Sequence, residues 1–101
     1  MIKAVFRESA GKLTGFSISG HAEYDDEGSD IVCAGVSSAV MLICNAATEV
    51  FRLKADVSVK DNLIAFSGDV SADRLVRSLM IHLKALSEAY PENISVNISE
   101  V

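Results

Sequence analysis

Gly20-His21-Ala22-Glu23-Tyr24-Asp25-Asp26-Glu27-Gly28-Ser29-Asp30-Ile31-Val32-Cys33 joins two segments of different periodicity. The change of period across it sets the fold. Before it, Leu13 to Gly20 places Phe16 and Ile18 on one face and Ser17 and Ser19 on the other, the pattern of a half-buried strand. After it, Cys33, Val36, Val40, Ile43, Ala47 and Val50 recur every three or four residues, the buried stripe of a helix. Ser29 or Asp30 supplies the N-cap. Arg52 and Lys54 close the helix with charges that suit its negative end.

Working outward, Ile2 to Arg7 sets Ile2, Ala4 and Phe6 against Lys3, Val5 and Arg7. This is a first strand, joined to the second through the turn Ser9-Ala10-Gly11-Lys12 as a hairpin. Val57 and Val59, then Leu63 to Phe66, form two short strands around the turn Asp61-Asn62. After the break at Gly68-Asp69, Ser71 caps a second helix with Asp73 in its first turn. Leu75, Leu79, Leu83, Leu86 and Tyr90 are its inner face, widened by Val76 and Met80, and Pro91 ends it. Ile94, Val96 and Ile98 alternate with polar residues as a last strand. The order is ββαββαβ. The expected fold is α/β of the α+β type: a mixed, largely antiparallel sheet with two helices packed on it. Small residues crowd the start of the first helix (Ala34, Gly35, Ser37, Ser38, Ala39), a composition that admits another backbone at close range.

The chain has 101 residues, half of them hydrophobic, which suits one domain spanning residues 1–101. A mean hydropathy of +0.30 is high for so short a chain and predicts that a partner subunit covers some apolar surface. The sequence shows no apolar run of about 18 residues, so no membrane span is expected. It opens directly on a strand pattern, without the basic-then-apolar layout of a signal peptide, which predicts a cytoplasmic protein. A net charge of −5 and a pI near 4.8 weigh against direct nucleic-acid binding and fit a basic protein or peptide partner. Cys33 and Cys44 lie on one helix, about 16 Å apart at 1.5 Å per residue, too far to pair or to share a metal. There is no C-x-x-C, no close histidine pair and no phosphate-binding glycine loop, so neither a metal nor another cofactor is expected.

The chemistry concentrates in the opening segment. A thiol at a helix start with an imidazole nearby is the usual arrangement of a nucleophilic cysteine. With Asp30 as cap, Cys33 is the third helical residue, among unpaired N–H groups and at the positive end of the dipole. A buried core cysteine is the competing reading. His21 follows Gly20, which permits an unusual turn, and strand parity puts it on the serine side, away from Phe16 and Ile18. Within reach of Cys33 it would act as general base and then protonate a leaving amine. Glu23, Tyr24, Asp25, Asp26 and Glu27 form either a solvated acidic loop or a flap that attracts a basic substrate segment, with Gly28 as its hinge. Asp30 caps the helix that carries the thiol. Ser37 lies one turn beyond Cys33 and either bonds its own helix backbone or lines the thiol's pocket. Cys44 and His82 are read as structural.

Gly20-His21-Ala22, a loop of about eight residues, then Gly28-x-Asp30-Ile31-Val32-Cys33-Ala34-Gly35-x-Ser37 resembles the ribosomal-processing cysteine protease family Prp. Chain length and element order are similar too. The resemblance implies a Cys–His dyad with Cys33 as nucleophile and His21 as base, with Asp30, Ser37 and Gly20 at the family's supporting positions. It implies removal of an N-terminal extension from the twenty-seventh protein of the bacterial large ribosomal subunit, a homodimer, and a segment between His21 and Cys33 that moves when substrate binds. Two other classes fit the residues alone: a non-enzymatic ribosome-associated binding module with an inert Cys33, and a small thiol hydrolase of another kind.

Overall fold

In the computed structural model, residues 1–20 and 27–100 are described, with residues 27–30 described as backbone only. The elements are β1 (Ile2–Ser9), β2 (Lys12–Ser19), α1 (Glu27–Asn45), β3 (Ala55–Lys60), β4 (Leu63–Gly68), α2 (Asp73–Ala89) and β5 (Ile94–Glu100). They give the expected ββαββαβ order and one five-stranded sheet, β3-β4-β2-β1-β5. Three pairings are antiparallel, and β1 pairs with β5 in parallel. The α+β expectation holds.

The β1–β2 hairpin turns at Ala10 and Gly11, both at positive φ (51° and 79°), the geometry that matches the right-handed twist of the strands. Its register shifts between Arg7, opposite Gly15, and Glu8, opposite Leu13. Thr14 is thus an extra residue in β2. This bulge lets Leu13 and Phe16, three apart, both point into the core. Phe6, Phe16 and Phe66 are successive partners across β1, β2 and β4. Phe16 stacks on Phe66 at 5.2 Å between centroids and meets Phe6 at 5.8 Å with a 45° tilt. All three rings are fully buried. On the opposite face Arg7 lies over Gly15 and donates to the Phe66 carbonyl oxygen at 2.9 Å. A Cβ on Gly15 would collide with that guanidinium.

The helices cover the other face, but α1 differs from its reading in three respects. It starts at Glu27, two residues before Ser29. Its buried residues are Val32, Val36, Val40 and Cys44, followed by Ala47, while Cys33 and Ile43 flank the stripe and Val50 is exposed. The helix then runs into a π-helical turn at Ala46–Val50, which adds residues per turn and rotates Val50 away from the core. Arg52 lies beyond that turn at φ 51° rather than closing the helix. Gly35 has open space around it, and Ala34, Ser37 and Ser38 are exposed, so among the described residues no backbone uses their small size. The expectation of no long apolar run also fails. Ile31–Val50 has a mean hydropathy of 1.8 over a length that would cross a bilayer. Here it packs its Val32-Val36-Val40-Cys44-Ala47 stripe on the sheet.

Ser71 does not cap the second helix: the N-cap of α2 is Ala72, with no side-chain cap bond, and the side-chain cap is Asp69, one short turn earlier. Its side chain accepts from the Ser71 N–H at 2.9 Å and opens a 3₁₀ turn, Val70–Ala72, ahead of α2. Val76, Leu79, Met80 and Leu83 are buried, with Leu75 and Leu86 packed at the margin. Tyr90, read as part of the inner face, is the exposed C-cap.

Candidate active site

Gly20 ends β2 at φ 81°. Its N–H donates to the carbonyl oxygen of Asn62, in the β3–β4 turn, at 3.1 Å. A Cβ here would run into the Met1 carbonyl. Glycine is required twice over, by the backbone conformation and by the close approach of β1. The chain therefore leaves the sheet for residue 21 from a fixed point between β1 and the β3–β4 turn.

Cys33 is the seventh residue of α1, in its second turn, because the helix starts at Glu27. This corrects the placement at the third helical residue: the four unpaired N–H groups belong to residues 27–30. Glu27 and Gly28, expected in a loop and at a hinge, are helical, and the side-chain roles of Glu27 and Asp30 lie outside what is described. His21, Glu23, Tyr24, Asp25 and Asp26 lie outside the described residues.

Cys33 is half-buried and Cys44 is buried, and neither forms a disulfide. Burial pushes the Cys44 thiol up from its ordinary value, as expected for a structural cysteine. His82 is exposed and borders a groove between α1 and α2 with Ala39, Leu42, Ile43, Ser78 and Leu79.

Cys33 opens into a cleft of about 250 Å³. One wall is α1, through Cys33, Val36 and Ser37; the floor is the helix side of the sheet, through Ile2, Ile18 and Ile64; the far rim is the β3–β4 hairpin and Gly20. The structure thus brings Gly20, Cys33 and Ser37 to one cavity. The contribution of β3 and β4 escaped the sequence reading. That hairpin reaches the cleft only because β4 pairs with β2, a non-consecutive neighbour that no local pattern announces. Among the described residues, no three His, Cys, Asp or Glu side chains gather as a metal site.

A small apolar cleft with a thiol on its wall suits covalent attack on a bound acyl group, and relatives carry the same assignment. A family model described as cysteine protease Prp matches residues 1–95. The chain belongs to that family. A ribosomal processing cysteine protease Prp of Staphylococcus aureus is 32% identical, over 86% of this chain and 88% of its own. One from Bacillus subtilis is 28% identical, over 95% and 96%. The fold matches the solved Prp of S. aureus in complex with a covalently linked product peptide, with a TM-score of 0.87, 26% identity and coverage of 98% and 100%. The same protein with a substrate peptide gives a TM-score of 0.88 at 25% identity, with the same coverage. This member of the Prp family is a cysteine protease.

Proposed function

We propose that the protein removes the N-terminal extension of the twenty-seventh protein of the large ribosomal subunit, with Cys33 as nucleophile and His21 as general base. The observation that carries this reading is the cleft. Cys33 is the thiol that opens into it, and Gly20, the residue directly before His21, forms its rim. Cys44 is buried in the core instead.

In the first half-reaction His21 takes the Cys33 proton, and Sγ attacks the scissile carbonyl carbon. The positive end of the α1 dipole, one turn before Cys33, favours the oxyanion. The C–N bond then breaks, His21 gives its proton to the departing amine, and a thioester remains on Cys33. In the second, His21 takes a proton from water, the hydroxide adds to the thioester, and the C–S bond breaks to release the carboxylate and restore the thiol. Asp30 and Ser37 support this centre, Asp30 through the helix start and Ser37 from the cleft wall, where it lies beside Cys33. The acidic run Glu23, Asp25, Asp26 and Glu27, with Tyr24 and Gly28, meets the basic terminus typical of a ribosomal protein, in keeping with the net charge of −5.

The protein works in the cytoplasm as a homodimer in this reading. Support for the dimer comes from α1 and α2, which expose the large apolar side chains Ile31 (65%), Leu42 (67%) and Ile81 (62%), the kind of surface that a partner subunit covers.

The test is incubation of the purified protein, under reducing conditions, with the extended ribosomal protein. Mass spectrometry should show release of one N-terminal peptide. A substrate that stays intact overturns the assignment.

A further inference from the structure

We propose that the free edge of β3 receives the substrate polypeptide as an added antiparallel or parallel strand, bonded to the backbone of Val57 and Val59. This inference rests on the cleft being the peptide-cleaving site, and it names how the chain on one side of the scissile bond is held.

The geometry follows from the hairpin. Among the described residues, β3 is the last strand of the sheet on its side. Lys60 faces Leu63 across the two-residue turn Asp61-Asn62, and the register continues through Ser58–Ala65 to Asp56–Ser67 without a break. A closing pair across a two-residue turn is a hydrogen-bonded pair, and such pairs alternate along an antiparallel ladder. Asp56, Ser58 and Lys60 therefore spend their N–H and C=O groups on β4. The N–H and C=O groups of Val57 and Val59 point outward along the open edge.

Open edges are commonly blunted by charges, proline or a bulge. β3 has a charge at each end, Asp56 and Lys60, but its centre, Val57-Ser58-Val59, has none of these devices. Val57 and Val59 point to the helix side of the sheet yet remain exposed, Val59 at 61%, because α1 does not reach over them. This edge is also continuous with the site. Val59 and Lys60 line the same cleft as Cys33. The opposite edge, β5, contributes no residue to that cleft. An extended peptide whose scissile carbonyl sits at Cys33 thus meets two outward donors and two outward acceptors spaced two residues apart. That spacing selects for extended backbone and tolerates many side chains.

The experiment uses the full chain and a synthetic peptide spanning the N-terminal extension of the host's own large-subunit protein. In the Cys33→Ala variant, which binds without cleaving, peptide should slow amide hydrogen exchange at Val57 and Val59 by about tenfold or more, with little change at Ser58, already bonded to β4. In the active protein, Val59→Pro removes one outward N–H at a position where an edge strand tolerates proline, and should raise KM about tenfold. Backbone N-methylation of the peptide should impair cleavage at alternate residues only. Cleavage by the parent protein with no exchange change at Val57 and Val59 overturns the strand addition alone. Failure of the parent protein to cleave overturns both this and the function it rests on. If Val59→Pro does not fold, the exchange result decides.

Discussion

The side chain of Asp73, at the start of α2, accepts a hydrogen bond from the backbone N–H of Leu13 at 2.8 Å, and so clamps the helix to the β1–β2 hairpin. Arg77, one turn on, donates to the same carboxylate oxygen at 2.9 Å and to the Gly11 carbonyl at 3.1 Å. One acid and one base thereby fix the hairpin turn on the second helix. The Leu13 N–H first, and Arg77 second, hold the Asp73 carboxyl below its usual range.

This clamp predicts an acid-sensitive contribution to stability. A carboxyl whose folded pKa is depressed stabilises fully above its unfolded value of about 4 and loses that contribution as pH falls through the folded value. Asp73→Ala should lower stability by about 1–3 kcal/mol near neutral pH. The deficit should shrink below about pH 4. Thermal melts of parent and variant across that range check it, and a deficit that does not change with pH contradicts it.

Gly20→Ala should impair both fold and activity. The added Cβ meets the Met1 carbonyl, and φ is 81°. A strained residue of this kind costs about 1–3 kcal/mol. Relief requires β2 to move off Met1 or to release Asn62, and either shifts the point from which the chain continues to His21. A melt shows the first effect. A fall in kcat/KM measured well below the lowered Tm shows the second. A variant with parental kcat/KM would separate Gly20 from the site.

The two thiols should differ sharply in labelling. Iodoacetamide should modify Cys33 in the native protein and reach Cys44 only on unfolding, since Cys44 is buried and its thiol is pushed up. Cys33→Ala should abolish cleavage with the fold intact. Cys44→Ala should keep cleavage and lose about 1 kcal/mol of stability. Loss of cleavage in Cys44→Ala alone reverses the assignment. Equal native labelling of both thiols favours a binding module over an enzyme.

Leu42→Glu tests the proposed dimer. Leu42 is exposed on α1 beside the groove that His82 borders. A charge there should shift the protein toward a monomer by light scattering on a sizing column, with the fold retained, since Leu42 is not part of the buried core. A parent protein that is monomeric at micromolar concentration contradicts the dimer itself.

Much of the fold was legible because strands and helices leave different periods in the chain. Ile2, Ala4 and Phe6 are buried as their alternation required, and the α2 stripe from Val76 to Leu83 lies where its spacing put it. What failed was of two physical kinds. The first is local geometry that periodicity does not encode: the π-helical turn that exposed Val50, and the earlier start that moved Cys33 to the second turn. Ser71 does not cap α2 because a 3₁₀ turn, capped by Asp69, takes up Val70–Ala72 ahead of it, and periodicity does not announce such a turn. The second is long-range arrangement. Gly20, Cys33 and Ser37 were legible as candidates and line one cleft, but the rim made by Val59, Asn62 and Leu63 depends on β4 lying beside β2.

The parallel pair has a consequence for synthesis. β1 occupies an interior place in the sheet, yet one of its sides is satisfied only by β5, where Ile2 meets Ile94 and Glu8 meets Glu100. A nascent chain can close the β1–β2 hairpin as soon as both strands emerge. The other side of β1 then waits, with its amides open, until β5 has emerged. The sheet is therefore completed only when β5 docks, and a nascent chain that stops short of Ile94 would carry β1 as an open edge beside β2.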